Sequence, residues 1–168
     1  MEIKIKGVNN FAFLKEKLFV IIDYPKIGWG YVTANADEAK AYGFGVITSG
    51  CGTKLNFLPI KDIAHTRGFY SYVGCKYKGY KCFVHSYGKN EKKFCVAIPK
   101  DLALTMGIDG YRWGHETPSM DVPLSDLDEI FRSRKKLGDF IFDVDPIKPI
   151  YKYGKWLIEP DENGVYVV

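Results

Sequence analysis

The stretch of sequence that decides the fold is FYSYVGCKYKGYKCFVHSY, residues 69–87. It predicts a β-hairpin that turns at Lys78-Gly79, because runs rich in β-branched and aromatic residues lie on both sides of this glycine-containing pair. A two-residue loop places Gly74 opposite Phe83, whose ring can then cover the bare glycine backbone. The same register makes these further pairs: Cys75 with Cys82, Lys76 with Lys81, Val73 with Val84, Tyr72 with His85, Ser71 with Ser86 and Tyr70 with Tyr87. A three-residue loop would put Gly79 in a bulge and shift every pair by one residue; we prefer the two-residue loop.

Outside the hairpin, short strand-like segments are separated by turns. Strands are predicted over residues 18–22, 27–33, 44–48, 54–59, 93–98, 148–153, 155–159 and 165–168. One short helix is predicted over residues 35–42, with Asn35 or Asp37 as its cap and Gly43 at its end. A second begins at Pro99 and ends at Gly107, which is the usual placing of proline and glycine at helix ends.

Residues 125–138 carry the strongest helix signal in the chain. Ser125 is a natural N-cap, acidic residues follow it, basic residues near the other end suit the helix dipole, and Gly138 lies beyond them. The face that would pack on a sheet is marked by Leu127, Ile130, Phe131 and Leu137. We therefore predict an α+β fold with a single globular domain over residues 1–168, in which two to four helices pack on a mainly antiparallel β-sheet.

Composition places this chain of 168 residues among compact globular proteins, since 46% of its residues are hydrophobic and 15% aromatic. No apolar run approaches the ~18 residues that span a bilayer. The first residues alternate charge with isoleucine and have no signal-peptide apolar region, so we expect a cytoplasmic protein. The four cysteines contain no Cys-x-x-Cys pair, and we expect reduced thiols, buried among apolar neighbours.

Charge is distributed unevenly along the chain. The formal net charge is +4, but residues 54–100 carry ten basic and two acidic side chains, and residues 101–168 carry eight basic and thirteen acidic ones. The molecule is therefore expected to have a basic and an acidic face.

The hairpin is the sharpest candidate for a binding surface, because lysine and tyrosine alternate at its tip. The predicted partner-binding residues are Tyr70, Tyr72, Lys76, Tyr77, Lys78, Tyr80 and Lys81. An acidic protein could use tyrosine as rigid contact area and lysine to steer the encounter. RNA or single-stranded DNA could use the same groups for stacking and phosphate contacts. The alternative without a binding function is a solvated hairpin tip, whose lysines only prevent edge-to-edge aggregation.

Catalytic and cofactor signatures are sparse. His65, His85 and His115 lack the short spacings of zinc ligands, and no phosphate-cradling or dinucleotide-binding glycine motif occurs, so we expect no metal and no cofactor. Arg112, His115 and Glu116 are the residue types that metal-independent ribonucleases use for proton transfer and phosphate stabilisation. A small ribonuclease or hydrolase built on these three, with a base from elsewhere in the chain, is thus an alternative function. Adjacent residues seldom aim at one point, so the cluster would need partners such as His65 or Arg67.

The chain as a whole resembles the small immunity proteins that bacteria encode beside polymorphic or contact-dependent toxins. The resemblance lies in a single domain of mixed strands and helices, rich in tyrosine and tryptophan, with turn-rich segments at residues 151–156 and 159–164. It implies a non-enzymatic protein that binds a cognate toxin domain tightly and neutralises it, and it carries over no site residue. Many immunity proteins are acidic, and this chain departs from that pattern. Either the acidic second half makes the contact, or the toxin is not a nuclease.

Overall fold

The amino-terminal strands form a meander that is joined by tight turns. The computed structural model describes residues 9–88, 93–108 and 117–158. The first elements are β1 (Asn9–Leu14), β2 (Lys17–Tyr24), β3 (Gly28–Thr33), α1 (Ala36–Tyr42), β4 (Gly45–Thr48) and β5 (Lys54–Pro59). The predicted strands and helix in this region are confirmed. Strand β1 is not among the predicted strands. Its two-residue turn into β2, Lys15-Glu16, contains no glycine although both residues have positive φ.

Helix α1 begins and ends where its capping residues predict. The Asn35 side chain accepts hydrogen bonds from the backbone N–H groups of Asp37 and Glu38 at 2.9 and 3.1 Å, which satisfies two otherwise unpaired donors. Gly43 has φ 74° and ψ 36°, the left-handed conformation that commonly ends a helix.

The following elements contain the hairpin and the segments beside it. They are β6 (Gly68–Tyr77), β7 (Tyr80–Gly88), β8 (Lys93–Ala97), α2 (Lys100–Thr105), β9 (Ser119–Pro123), β10 (Leu127–Lys136), β11 (Ile147–Lys152) and β12 (Lys155–Trp156). Two short 3-10 helices, Ile63–His65 and Leu124–Asp126, precede β6 and β10. The predicted strand near 93–98, the short helix after Pro99 and the strand before Gly154 are confirmed. Of the strand predicted over 155–159, the described residues contain only Lys155–Trp156 as β12. The strand predicted at 165–168 lies outside the described residues.

The hairpin register is confirmed at its tip. Gly74 pairs with Phe83, Cys75 with Cys82, Lys76 with Lys81 and Tyr77 with Tyr80. Lys78 and Gly79 have φ 48° and 82°, as a type I′ turn requires, so the three-residue loop is wrong. Among the described residues the register of β6 with β7 runs from Tyr77 to Gly74, so the pairs predicted further from the tip are not found. There Ser71 and Tyr70 pair with Asn9 and Asn10 of β1.

The helix predicted over residues 125–138 is wrong, because residues 127–136 form strand β10. β10 has hydrogen-bonded neighbours on both sides, β6 and β11. These neighbours satisfy the backbone groups that a helix would pair internally. The buried residues Ile130, Phe131, Arg132 and Ser133 follow one another without a gap, which is the pattern of a strand covered on both faces. Pairing with strands that are distant in sequence therefore outweighs the local charge and capping preferences for a helix.

The chain, which we predicted to be one domain, divides into two compact units. The amino-terminal unit comprises Asn9–Ser71 and Lys135–Val144, and the hairpin unit comprises residues 72–134 and 145–158 where described. In the amino-terminal unit the strand order is β1-β2-β3-β5-β4 beside the first residues of β6. In the hairpin unit β12, β11, β10 and β6 follow one another, and β7, β8 and β9 continue from β6.

Each unit has its own hydrophobic core. Buried residues of the amino-terminal core are Ala12, Phe19, Ile21, Tyr31 and Phe140. The core of the hairpin unit includes Val73, Val84, Phe94, Val96, Ile98, Leu102, Val122, Ile130 and Ile150. The mainly antiparallel sheet is confirmed. The predicted α+β class is only roughly right, because the described ranges are mostly strand and contain two short α-helices. Neither of them is long and apolar enough to cross a membrane.

Candidate functional site

The sheet of strands β6 to β9 has a core face and an outer face. Side chains alternate along each strand, and Val73, Cys75 and Tyr77 of β6 belong to the core of the hairpin unit. The intervening residues, Tyr72, Gly74 and Lys76, therefore lie on the outer face. The strand pairing extends this face to Lys81 and Phe83 of β7, Ala97 of β8 and Ser119 of β9.

The residues predicted to bind a partner do not all lie at the surface. Lys78 and Lys81 are exposed and Lys76 is half-buried, whereas Tyr77 is 5% exposed and belongs to the core. Tyr80 is half-buried and packs against the same core. Tyr70 is half-buried in the amino-terminal unit, paired with Asn10. Tyr77 is therefore not available as contact area, and the surface of the hairpin consists mainly of its three lysines.

An aromatic row crosses the outer face. The rings of Tyr72 and Phe83 stack with centroids 5.6 Å apart and an interplanar angle of 24°. The His85 ring lies edge-on to Phe83, with centroids 5.0 Å apart. The three atoms nearest to a Cβ at Gly74, next to this row, all belong to the ring of Phe131. The predicted pairing of Gly74 with Phe83 is confirmed, but the ring packed most closely over the glycine is that of Phe131 and not, as predicted, that of Phe83.

A pocket of about 560 Å³ opens beside this row. It exists because the residues directly across from Phe83 are small: Ala97 pairs with Phe83, and Ser119 pairs with Ala97. Residues lining it are Lys81, Cys82, Phe83, His85, Ala97, Pro99, Thr117 and Ser119. The sequence reasoning placed His85 on a sheet face but missed the pocket, because Ala97 and Ser119 are brought there by strand pairings that no local pattern indicates.

His85 occupies an irregular position in the sheet. Val84 pairs with Val96, and Ser86 pairs with Cys95, the residue just before Val96, so that His85 is an extra residue on β7. Such a β-bulge locally re-aims a side chain and is found often beside functional sites. The bulge holds the imidazole at the edge of the Phe83 ring and at the wall of the pocket.

The lysines of the hairpin make no ion pair with any acidic side chain in the described part of the chain. The ammonium of Lys78 lies 5.6 Å from the centroid of the Tyr77 ring, and Lys76 and Lys81 are direct cross-strand neighbours. Two like charges in this position repel each other. An acidic group that approaches the cluster therefore relieves this repulsion.

The predicted catalytic residues Arg112, His115 and Glu116 lie outside the described residues. The two groups considered as their partners have other roles. His65 Nδ1 lies 2.8 Å from a carboxylate oxygen of Asp62 in the same turn. Arg67 donates to Asp143 at 2.6 Å and lies 4.3 Å above the ring of Phe13. Within the described ranges, no three metal-ligating side chains come together.

The cysteines fall into two chemical classes. Cys75 and Cys82 face each other in the hairpin and are buried, as predicted for these thiols. The hydrogen bond to Cys82, together with burial, raises the pKa of the Cys75 thiol well above its ordinary value. Cys51 was expected to be buried but is exposed, in the loop between β4 and β5. Hydrogen bonds from Ser49 (3.0 Å) and Thr53 (3.4 Å) lower its pKa to about 7.

Alkylation should therefore select Cys51 over the other cysteines near neutral pH, because the thiolate is the reactive form. Iodoacetamide labelling of the native protein, followed by peptide mass spectrometry across a pH series, should give a rate for Cys51 with a midpoint near pH 7. Ser49→Ala removes the first hydrogen bond and should move this midpoint upward. A midpoint in the wild type near the ordinary value of about 8.5 would contradict the expectation.

Comparison of the chain with protein-family models, with curated protein sequences and with solved structures finds no match.

Proposed function

We propose that this chain is a non-enzymatic binding protein whose hairpin tip and outer face hold an acidic surface of a partner protein. The observation that supports this most is the cluster of Lys76, Lys78 and Lys81, which has no acidic partner among the described residues. An unpaired basic cluster at a hairpin turn speeds the encounter with an acidic partner. The rigid type I′ turn limits the conformational entropy that binding removes.

A protein partner is favoured over nucleic acid by the state of the aromatic side chains. Single-strand binders present open aromatic faces on which bases stack. Here Tyr77 is buried, and Tyr72 already stacks on Phe83. The hairpin thus offers cations for phosphates but few free rings for bases.

The resemblance to immunity proteins gives the proposal a particular form, in which the partner is a toxin domain neutralised by stoichiometric binding. The basic hairpin then predicts an acidic contact surface on that domain. A toxin whose catalytic cleft is acidic would be inhibited directly when the hairpin covers the cleft, whereas a basic nuclease would not be attracted to it.

The experiment that tests this is capture of partners by the tagged full chain from its own cell lysate, with and without nuclease treatment, followed by mass spectrometry. One stoichiometric protein that survives nuclease treatment is expected. Recovery of nucleic acid alone would overturn the proposal in favour of the RNA-binding alternative. Recovery of neither a protein partner nor nucleic acid would overturn the proposal in favour of an enzymatic role for Arg112, His115 and Glu116.

Once the partner is identified, its association rate can be measured with a variant in which Lys76, Lys78 and Lys81 are all replaced by glutamate. This charge reversal should slow association at least ten-fold at low salt and remove most of the salt dependence of the association rate. The matched control reverses three exposed lysines of the amino-terminal unit, Lys26, Lys54 and Lys61, with the same change in net charge. Stopped-flow association rates should separate the two variants. Equal slowing by both would mean that net charge and not the hairpin governs the encounter.

A further inference from the structure

We propose that Cys75 and Cys82 form a reversible redox switch, in which the two thiols close to a disulfide bond between β6 and β7. The formation of this bond does not depend on the partner protein. The proposal rests on the position of the two cysteines in the strand register, on their common face and on the hydrogen bonds of their sulfur atoms.

The strand register places the two cysteines directly opposite each other, two pairs away from Tyr77 and Tyr80, which flank the turn. The turn joins Tyr77 and Tyr80 by a hydrogen bond. Hydrogen-bonded and non-hydrogen-bonded pairs alternate along antiparallel strands, so Cys75 and Cys82 form a hydrogen-bonded pair with Cα atoms about 5.5 Å apart. Because disulfides most often join Cα atoms about 5.5–6 Å apart, the backbone separation already suits a disulfide.

The two thiols also lie on the same face of the hairpin. Both side chains belong to the core of the hairpin unit, and they are hydrogen-bonded to each other. The other two cysteines of the chain have no cysteine opposite them, since Cys95 pairs with Ser86 and Cys51 lies in the loop between β4 and β5. The sequence therefore supplies one pair of thiols that is placed to react internally.

The two thiols have different roles in the oxidation. Cys82 is 6% exposed and Cys75 is 0% exposed, so a small oxidant such as hydrogen peroxide reaches Cys82 first. The hydrogen bond from Cys75 lowers the pKa of the Cys82 thiol and stabilises its thiolate, which is the nucleophilic form. Cys82 is therefore the attacking thiol, and Cys75 is the thiol that closes the disulfide.

The oxidation proceeds in two steps. The Cys82 thiolate attacks one oxygen of hydrogen peroxide, the O–O bond breaks, and Cys82 becomes a sulfenic acid. The hydroxide that leaves takes up the proton that Cys82 has released and becomes water. The sulfur of Cys75 then attacks the sulfur of Cys82, the S–O bond breaks, and the Cys75 proton leaves with the hydroxyl group as a second water. The two thiols are oxidised to one disulfide, and the peroxide is reduced to two waters.

The same geometry makes the disulfide easy to reduce. The Cβ atoms of directly opposite residues lie about 4.5–5.5 Å apart, with hydrogen-bonded pairs at the wider end, whereas a disulfide brings them to about 3.5–4.5 Å. The two strands must therefore move together at this point. A disulfide strained in this way is reduced more readily than a structural one.

The switch acts on the tip of the hairpin. The Cys82 thiol donates to the backbone carbonyl of Tyr80 at 3.6 Å, and disulfide formation removes the proton of this hydrogen bond. The disulfide also closes a ring that contains Lys76, Lys78 and Lys81. Oxidation therefore changes the surface proposed to bind a partner, a consequence that rests on the proposed function.

Peroxide treatment of the full chain carrying Cys51→Ser tests the proposal, because this substitution removes the exposed thiol that would consume the oxidant first. Trypsin cuts after the lysines of the tip, so the two cysteines fall in separate peptides, residues 68–76 and 82–89. Mass spectrometry should find these two peptides linked, with two hydrogens fewer than their sum. Their absence after oxidation would overturn the proposal.

A matched control moves one thiol to the neighbouring position of the same strand. Cys82→Ala with Lys81→Cys keeps the number of thiols but places the new one on the outer face, away from Cys75. Disulfide formation should be at least ten-fold slower in this control, whose circular dichroism spectrum should match that of the Cys51→Ser chain. Cys75→Ala with Lys76→Cys is the equivalent control on β6, should the first fail to fold. Equal rates in a folded control would mean that the register does not bring the sulfurs together, and the proposal would fail.

Incubation of the oxidised chain in glutathione buffers measures reversibility. Millimolar reduced glutathione should restore both thiols, because the strained disulfide is the better oxidant. A disulfide that stays closed under these conditions would be a permanent cross-link, which would overturn the switch. All of these outcomes are measured on the isolated chain, so a failure to capture a partner protein leaves them unaffected.

Discussion

Replacing Gly30 by alanine is expected to lower the free energy of unfolding by about 2–4 kcal/mol, since overpacking forces buried neighbours out of place. Gly30 lies on β3, and a Cβ built there would meet the Cζ, Cε2 and Cε1 atoms of the Phe57 ring. Phe57 is 2% exposed and its ring is 6.0 Å from that of Tyr24, centroid to centroid. The ring therefore cannot move aside without disturbing the packing of the amino-terminal unit.

Chemical denaturation followed by tryptophan fluorescence measures this loss. Trp29 contributes to the signal close to the substituted position, because it precedes Gly30 and packs edge-on against Phe140. Gly50→Ala is the matched control: a Cβ at Gly50 meets nothing within 4 Å, so its effect should stay within about 0.5 kcal/mol. Gly30→Val should be more destabilising than Gly30→Ala. A change for Gly30→Ala no larger than that of the control would show that the ring does not cover this glycine.

The elements that could be predicted from the sequence are those whose signals are local. The hairpin tip follows from the Lys78-Gly79 turn and the period of two along each arm, and α1 follows from Asn35 and Gly43. β1 escaped notice because its turn, Lys15-Glu16, uses positive φ without glycine or asparagine. The local charges and capping residues of β10 predict a helix. Its strand conformation depends on its hydrogen-bonding partners β6 and β11, which are distant in sequence.

Part of the candidate site can likewise be predicted from local sequence signals, and part of it cannot. Lys76 and Lys81 could be placed opposite each other from the hairpin register alone. The burial of Tyr77 also follows from alternation, since it shares a face with the buried Cys75, whereas composition alone places it on the binding surface. The pocket could not be predicted, because its floor needs Ala97 and Ser119 beside Phe83 and thus the order of β7, β8 and β9.

The ring that covers Gly74 provides the last and most discriminating prediction. A Cβ at Gly74 would lie 2.5 and 2.6 Å from the Cε2 and Cζ atoms of Phe131, so Gly74→Ala should destabilise the hairpin unit by about 2–4 kcal/mol. Phe131→Ala alone should cost about 3–5 kcal/mol, because Phe131 is 8% exposed and its truncation leaves a cavity.

In the Phe131→Ala background the obstacle is gone, and Gly74→Ala should then cost less than about 0.5 kcal/mol or even stabilise, since alanine loses less backbone entropy than glycine on folding. In a Phe83→Ala background Gly74→Ala should keep most of its cost, although Phe83 is the residue directly opposite. Urea denaturation of all six chains gives the two coupling energies. Coupling of about 2 kcal/mol or more to Phe131 and little to Phe83 is expected, because the pairing of backbones in a sheet does not determine which ring fills the space above a glycine. The reverse order of couplings would place the Phe83 ring over Gly74, where it could no longer line the pocket with His85 and Ala97.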